Sequence, residues 1–233
     1  MPRAMTTLRP HAVAFDVVET IFALDPVGDA LGRVGSSADR LDLFFAQLLR
    51  DAFALNVTGE YRAFPEVANA TLAALEPSLS DEQRQEVLGA FRTLDAHPDV
   101  RPAFDRLANA GVPILAVTNG TAEVTELLLD RADLHSFVSR VVSVDELGTW
   151  KPDAAVYHQA ATEAAVVLDR LALVAAHAWD VHGAKRAGLI TGWVSRSCSP
   201  FPEIFAEPDV TGPDLLAVVE SLLALPSGHT VRS

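Results

Sequence analysis

The sequence predicts an α/β fold in which a doubly wound parallel sheet carries a helical insert after its first strand. After residue 97, short continuous apolar runs alternate with helix-like stretches, and such runs are typical of strands buried on both faces. Residues 25–96 break this alternation and repeat apolar residues at helical spacing instead. Strand–helix alternation favours a parallel sheet, so we expect a sheet domain with a smaller helical domain inserted into it.

The first predicted strand is the apolar run 11–15, which Asp16 ends. Further strands are expected at 112–117, 137–144, 171–176 and 191–194. Helices are expected at 124–131, 153–165 and 180–187. Gly111 and Gly188 follow helical stretches at the position where a C-cap favours glycine, and Pro152 suits the first turn of a helix.

The insert is predicted to be entirely helical. One face of its first helix is indicated by Leu41, Phe44, Phe45, Leu48, Leu49, Ala52 and Phe53. Ser36, with Asp39 three positions later, precedes that helix as a weak capping signal. Further helices are expected at 65–75 and 81–94, the latter with Ser80 and Gln83 as its capping pair.

These segments predict two domains. The sheet domain is expected to comprise residues 1–24 and 97–233, and the helical domain residues 25–96. The interruption of one domain by the other follows from the position of the helical stretch, directly after the first strand.

Composition narrows the classes of partner. The formal net charge of −13 over 233 residues disfavours nucleic acid and anionic membranes as partners, although solubility alone explains such a charge. No apolar stretch approaches 18 residues, so no transmembrane helix is expected. Residues 1–10 do not have the pattern of a signal peptide. The single cysteine, Cys198, allows no intrachain disulfide, which fits a reducing cytoplasm.

Polar residues follow four of the predicted strands. They are Asp16 with Thr20; Thr118, Asn119 and Gly120; Lys151 with Tyr157 six residues later; and the segment 175–180, which ends at Asp180. Each group alone has an ordinary explanation as a turn or a helix cap. Because the carboxyl ends of parallel strands meet at one edge of a sheet, the four together predict a shared crevice.

These four motifs, in this order, resemble those of the haloacid dehalogenase superfamily. Within it the chain is similar to the type II 2-haloacid dehalogenases, because the segment Ala178-Trp179-Asp180, followed by Gly183, is close to their fourth motif. The resemblance implies a Rossmann-like core with a helical cap domain. It also implies a hydrolase that cleaves the carbon–halogen bond of short 2-haloalkanoic acids through an aspartyl ester, without metal or other cofactor, and that forms a homodimer.

The resemblance also implies catalytic roles. Asp16 is expected to attack the carbon that bears the halogen, and Lys151 to hold its carboxylate and offset the charge. Asp180 is expected to orient or deprotonate the water that hydrolyses the ester. Asn119 corresponds to the neighbour of the halide. Arg40, on the first helix of the insert, is a second candidate at the halide, with a solvated arginine as the alternative.

Substrate-binding roles are carried over in the same way. Thr20, Thr118 and the backbone amides near Val17 are expected to bind the substrate carboxylate. Tyr157 is expected in the pocket, or else as a buried aromatic with a bonded hydroxyl. Trp179 is expected as a pocket wall or a core aromatic. His177 stands where typical members have asparagine and is expected to replace its hydrogen bonds, with an ordinary strand-end histidine as the alternative.

Two rival functions stay open. A magnesium-dependent phosphatase acting on a small phosphate ester would have acids where Val18 and Ala175 stand, and it is disfavoured for that reason. A catalytically weak member that only binds a metabolite is the other rival.

Glu19 stands where typical dehalogenases have glycine, and it is expected to act as a cap or an ion-pair partner.

Overall fold

A computed structural model of the chain describes residues 7–196 and 200–227. The core of these residues is a six-stranded parallel sheet with strand order β3-β2-β1-β4-β5-β6. The strands are β1 (Ala12–Asp16), β2 (Ile114–Thr118), β3 (Val138–Ser143), β4 (Leu171–Ala175), β5 (Ile190–Val194) and β6 (Val210–Gly212). The predicted doubly wound sheet is thereby confirmed. Cys198 and residues 1–6 lie outside the described residues.

Helices cover both faces of the sheet. They are α5 (Val100–Asn109), α6 (Ala122–Arg131), α7 (Ala154–Glu163), α8 (Ala178–Arg186) and α9 (Leu215–Ala224). Successive side chains of a strand point to opposite faces, so Val13 and Phe15 pack in one apolar cluster with α5 and α9. Ala12 and Ala14 pack in the other, with α7 and α8. Both faces of β1 are therefore buried, as its continuous apolar run predicts.

The segment between β1 and α5 is helical, as predicted. It contains α1 (Asp25–Arg33), α2 (Arg40–Val57), α3 (Phe64–Leu75) and α4 (Asp81–Gly89), followed by a 3₁₀ turn at Ala90–Arg92. None of the six described strands lies in this segment. The division into domains at residues 25 and 96 stays a prediction.

Several local predictions were wrong. The helix α1 was not predicted, because Pro26 and two glycines weaken its helical pattern. The cap of α2 is Asp39 and not Ser36. The capping pair of α4 is confirmed, since Ser80 and Gln83 exchange hydrogen bonds, but that helix ends at Gly89 rather than at residue 94.

The start of α7 also differs from the prediction. Pro152 lies outside the helix, after a cis peptide bond with Lys151. The helix begins at Ala154, where the Asp153 side chain accepts a hydrogen bond from the amide of Ala155. Gly111 and Gly188 adopt φ values of 67° and 95°, which confirms the two predicted glycine caps. Across the described residues, no helix combines the length and apolar character that crossing a membrane requires.

Candidate active site

The crevice forms at the carboxyl ends of the three central strands. Strand β1 lies between β2 and β4 in the sheet, and the chain reverses its winding at this point, where open α/β sheets bind ligands. Asp16, Thr118 and Ala175 are the last residues of β1, β2 and β4. Asp16 is 5% exposed and Thr118 1% exposed, so the polar ends of the strands are buried under the loops and the insert.

Lys151 joins the two carboxylates of the crevice. Its Nζ lies 2.6 Å from Asp16 Oδ1, 2.6 Å from Asp180 Oδ2 and 3.1 Å from the carbonyl oxygen of Val117. These three acceptors use all the protons of an ammonium group. The side chain is fully buried, and burial would lower its pKa, but Asp16 and Asp180 raise that pKa above its usual value. Lys151 therefore stays charged.

Asp16 is ionised and held on both oxygens. Burial would raise its pKa, but the charge of Lys151 and the hydrogen bond from His177 bring that pKa well below its usual range. Thr20 Oγ1 donates to Asp16 Oδ2 at 2.7 Å and accepts from the amide of Ala176 at 2.9 Å. Because Thr20 is fully buried and engaged in this way, it orients Asp16. The prediction that it binds the substrate carboxylate is not supported.

Asp180, in the first turn of α8, is the second carboxylate on Lys151. Its other oxygen, Oδ1, accepts from the Tyr157 hydroxyl at 2.6 Å. Burial raises the pKa of Asp180, although the charge of Lys151 opposes the shift. The two carboxylates that share one ammonium thus have pKa values shifted in opposite directions, an arrangement typical of paired nucleophile and base roles.

Tyr157 is fully buried, and its pKa is raised well above the usual value by burial and by Asp180. Its hydroxyl therefore stays protonated and donates to Asp180. This corrects the prediction of a substrate contact, and it agrees with the alternative of a buried aromatic with a bonded hydroxyl. Asn119 holds the backbone of Lys151, because its Oδ1 accepts a hydrogen bond from the Lys151 amide at 2.9 Å.

His177 follows β4 and contacts two carboxylates at once. Its Nδ1 lies 3.1 Å from Asp16 Oδ2, and its Nε2 lies 2.8 Å from Glu19 Oε2. Burial would lower the pKa of His177, but the hydrogen bonds and charges of Asp16 and Glu19 raise it to about 10. The Trp179 ring stacks on the imidazole with centroids 5.2 Å apart, and Phe45 of α2 lies 5.9 Å from it.

Glu19 has a backbone that its residue type rarely adopts. Its φ is 62°, in the left-handed region that favours glycine. The loop that holds it is tight, since the Glu19 amide donates to the carbonyl of Phe22 at 2.7 Å and the Phe22 amide to that of Val17 at 3.0 Å. The sequence indicated an ion-pair partner or a cap for Glu19, and the structure gives it His177 as that partner.

Arg40 is the predicted site residue that the structure places elsewhere. It pairs with Glu76 at 3.3 Å, and 46% of its side chain is exposed. The side of α2 that lines the crevice includes Phe45, Leu49 and Arg50. At roughly 100° per residue, Arg40 lies about 180° around the helix from Leu49. The alternative of a solvated arginine is therefore correct. Arg50 is an exposed residue that pairs with Asp51 at 2.7 Å and lies at the border of the crevice.

Two cavities adjoin this group of residues. The first, of about 680 Å³, lies between α2 and the strand ends and is lined by Glu19, Leu24, Asp42, Phe45, Ala46, Leu49, Arg50, Phe53, His177 and Trp179. Trp179 therefore borders a cavity, and its role as a wall of the substrate pocket stays a prediction. The second, of about 310 Å³, is mainly apolar and is lined in part by Val17, Val18, Phe64, Thr118 and Leu128. Both Val17 and Thr118 thus face space in which a small ligand fits.

A magnesium ion does not fit these carboxylates. Magnesium prefers octahedral oxygen ligands, whereas the ammonium of Lys151 lies between Asp16 and Asp180, and Ala175 offers no third carboxylate. Among residues 7–196 and 200–227, no three His, Cys, Asp or Glu side chains are grouped so as to hold a metal ion.

Comparisons with a family model and with individual proteins indicate the same family. A model of the haloacid dehalogenase-like hydrolases matches residues 10–188. The chain is 27% identical over 205 residues to (S)-2-haloacid dehalogenase 2 of Pseudomonas sp. strain CBS-3, covering 85% of this chain and 90% of that protein. It is 28% identical over 206 residues to (S)-2-haloacid dehalogenase H-109 of Pseudomonas putida, with 85% and 91% covered.

Solved structures share the fold. An L-2-haloacid dehalogenase from Xanthobacter autotrophicus, with chloropropionic acid covalently bound, superposes with a TM-score of 0.85 at 20% identity and covers 93% of this chain and 99% of its own. Another L-2-haloacid dehalogenase gives a TM-score of 0.86 at 22% identity, with 94% and 100% covered. At this level of identity the likeness establishes a common fold.

Proposed function

The chain belongs to the haloacid dehalogenase-like hydrolases, and on this premise we propose that it hydrolyses the carbon–halogen bond of short 2-haloalkanoic acids. The observation that carries the proposal is the state of Asp16. Its carboxylate is ionised, nearly buried and held by Lys151, Thr20 and His177. A carboxylate is a modest nucleophile, so fixed orientation and exclusion of water must supply much of the rate.

The contacts of Asp16 indicate which of its oxygens attacks. Among the described contacts, Oδ2 accepts two hydrogen bonds, from Thr20 and His177, and Oδ1 accepts one, from Lys151. A carboxylate oxygen has two lone pairs, so Oδ1 keeps one for the substrate. Oδ1 bonds to C2 of the acid, the halide leaves with the bonding pair, and an Asp16 ester results, with inversion at C2.

Hydrolysis of the ester is assigned to Asp180. Its raised pKa makes it a better proton acceptor than an ordinary aspartate, and Tyr157 and Lys151 fix its two oxygens. Water attacks Cγ of Asp16 while Asp180 takes one of its protons. The bond from Cγ to Oδ1 then breaks, and the 2-hydroxy acid leaves with Oδ1 and that proton. The new carboxyl group of Asp16 releases the second proton to solvent.

Binding of the substrate acid is assigned to the apolar side of the crevice. Thr118 Oγ1 accepts from the amide of Gly120 at 2.9 Å, so its own proton can be donated to the substrate carboxylate. The backbone near Val17 lies beside it, at the wall of the same cavity. The apolar lining beyond them, including Val18 and Phe64, suits the alkyl group of the acid. Asn119, next to Thr118, is proposed as the neighbour of the halide.

The enantiomer, the cellular location and the oligomeric state are proposed on indirect grounds. We propose the (S) enantiomer as substrate, because the two sequence relatives named above are (S)-2-haloacid dehalogenases. A cytoplasmic location is supported by the single cysteine, and a homodimer by the resemblance alone. The rival phosphatase is less well supported, since Val18 and Ala175 replace its acids and the crevice offers magnesium no suitable ligand set.

The test compares two substrates under two conditions. We expect chloride from (S)-2-chloropropionate in the presence of a chelator, and no phosphate from a small phosphate ester in the presence of magnesium. The reverse result would establish the phosphatase, and neither product would favour the metabolite-binding protein. In a single turnover in heavy-oxygen water, the label should enter Asp16 and not the product. An Asp16→Asn variant should release no halide.

A further inference from the structure

We propose that His177 and Glu19 form a charged oxyanion site for hydrolysis of the Asp16 ester, so that His177 is a catalytic residue and Glu19 positions it. This inference rests on the proposed function. It concerns the second half of the reaction, in which the negative charge of the tetrahedral intermediate must be stabilised on one oxygen of Asp16. Two donors already lie on that oxygen.

The first step is the identity of that oxygen. If Oδ1 carries the alkyl group, then Oδ2 is the carbonyl oxygen of the ester. Thr20 Oγ1 lies 2.7 Å from Oδ2, and His177 Nδ1 lies 3.1 Å from it. When water bonds to Cγ, the carbonyl electron pair moves to Oδ2, and it returns when the bond from Cγ to Oδ1 breaks. Donors fixed at the position where charge develops are the components of an oxyanion site.

The second step is the charge of the donor. Glu19 Oε2 lies 2.8 Å from His177 Nε2, so the imidazolium keeps one anionic partner after Asp16 has become a neutral ester. Hydrogen bonds from an ionised donor are roughly twice as strong as those from a neutral donor. An asparagine at position 177 would supply only a neutral donor. The chain therefore replaces an amide dipole with a full positive charge at the same oxygen.

The third step is the backbone of Glu19. A glycine would adopt its φ of 62° without strain, and a side chain is retained there at a conformational cost. Backbone strain of this kind often accompanies a functional constraint. The side chain that the strained position presents is the one that holds His177.

The other charges around His177 are few. Asp16 and Glu19 contact its ring, and Lys151 is separated from it by Asp16. Across the cavity, α2 contributes Asp42 and Arg50 to the lining, and the stacked Trp179 and Phe45 are uncharged. Once the ester has formed, Glu19 is thus the anion in contact with the imidazolium.

The test follows the ester directly in the full-length protein. With (S)-2-chloropropionate, rapid quenching and intact-protein mass measurement give the amount of ester, and chloride release gives the alkylation rate. His177→Phe keeps an aromatic ring between Phe45 and Trp179 but removes both donors. We expect a chloride burst close to one per site and ester hydrolysis slowed about 10²–10³-fold, the effect of losing one oxyanion donor. His158→Phe, on the exposed side of α7, is the matched control and should behave as wild type.

Glu19→Gln separates a charge effect from a packing effect. Without Glu19, burial lowers the pKa of His177 in the ester, so the imidazole loses its charge as the pH rises. Ester hydrolysis should then fall about tenfold between pH 5 and 8, while the wild-type rate stays constant over that range. This variant also serves if His177→Phe does not fold.

Three outcomes would overturn the inference. The first is loss of the chloride burst and of hydrolysis to the same extent in His177→Phe, without accumulation of ester. The second is a Glu19→Gln pH profile identical to that of wild type. The third, no chloride from the wild-type protein, would refute the proposed function itself, and it is recognised before any variant is compared.

Discussion

Tyr157 donates its hydroxyl to Asp180 Oδ1 at 2.6 Å from a fully buried ring. The hydroxyl is the second of two donors on this carboxylate, because Lys151 holds the other oxygen. Asp180 therefore has its direction fixed by one neutral and one charged partner. This contact is the reason that an aromatic residue on α7, one turn from the start of the helix, matters to a carboxylate on α8.

Tyr157→Phe should lower both stability and ester hydrolysis. The change leaves a buried carboxylate oxygen without its donor, which costs roughly 1–3 kcal/mol, and it frees Asp180 to turn from the water. We expect a reduced free energy of unfolding in urea and an accumulated ester. Tyr61→Phe, which removes a hydroxyl bonded to Asp145 outside the crevice, is the control. Equal hydrolysis rates in the two variants would contradict the role given to Tyr157.

Gly183→Ala should disturb the same contact from the other side. A Cβ at Gly183 would lie 2.5 Å from Pro152 Cβ and 2.7 Å from the Tyr157 hydroxyl oxygen, so the helix and the loop cannot both keep their places. We expect destabilisation of about 1–3 kcal/mol from overpacking, together with slower turnover. In Gly32→Ala, where nothing lies within 4 Å of the new carbon, helix propensity should stabilise the protein by up to about 1 kcal/mol. Thermal unfolding of the pair, with turnover rates, provides the comparison.

Replacement of Arg50 should lower kcat/KM more than replacement of Arg40. The family resemblance implies the reverse order, because it assigns the halide to Arg40. Arg40 pairs with Glu76 away from the crevice, so Arg40→Ala should change kcat/KM less than about twofold. Arg50 lines the cavity, and its charge favours entry of an anionic acid, so Arg50→Ala should lower kcat/KM about three- to tenfold at low salt and less at high salt. Steady-state kinetics at two ionic strengths measure both. A larger loss in Arg40→Ala would place the halide partner at residue 40 after all.

His177 should make the free energy of unfolding fall as the pH rises into the alkaline range. Its pKa is about 10 in the folded protein against 6.5 ordinarily, so folding binds a proton more tightly. The resulting stability is fully present below about pH 6.5 and is lost as the pH rises through 10, with an amplitude on the order of a few kcal/mol. Urea unfolding of wild type and His177→Phe between pH 6 and 10 should show a steeper decline in wild type. Parallel curves would show that His177 is neutral in the folded state.

The sheet and the position of Asp16 could be predicted because both follow from local pattern. The run 11–15 is apolar throughout, so β1 had to be buried on both faces, and its last residue had to lie at the edge where the neighbouring strands end. Strand β6 was not predicted. It has only three residues, Val210–Gly212, of which Thr211 is polar and Gly212 has no side chain, and so short a segment shows no periodicity.

The contacts of the crevice were harder to predict because they depend on how elements dock. The spacing within α2 gives its apolar face. The side of α2 that turns toward the strand ends depends on packing against Trp179 and His177. That packing determines which of Arg40 and Arg50 lies at the crevice. The pair of Glu19 and His177 joins residues 158 positions apart. A left-handed glutamate has no distinctive neighbour in sequence that would reveal it.

The insert and the sheet contribute different kinds of side chain to the crevice. Asp16 ends β1, Lys151 and His177 lie in loops that follow strands, and Asp180 lies in the first turn of α8. From the insert, Phe45 and Phe53 of α2 contribute ring contacts there. Selectivity and bond-breaking are consequently encoded in separate stretches of the gene. A library confined to the codons of α2 should therefore yield enzymes with altered preference among acids and an unchanged order of chemical steps.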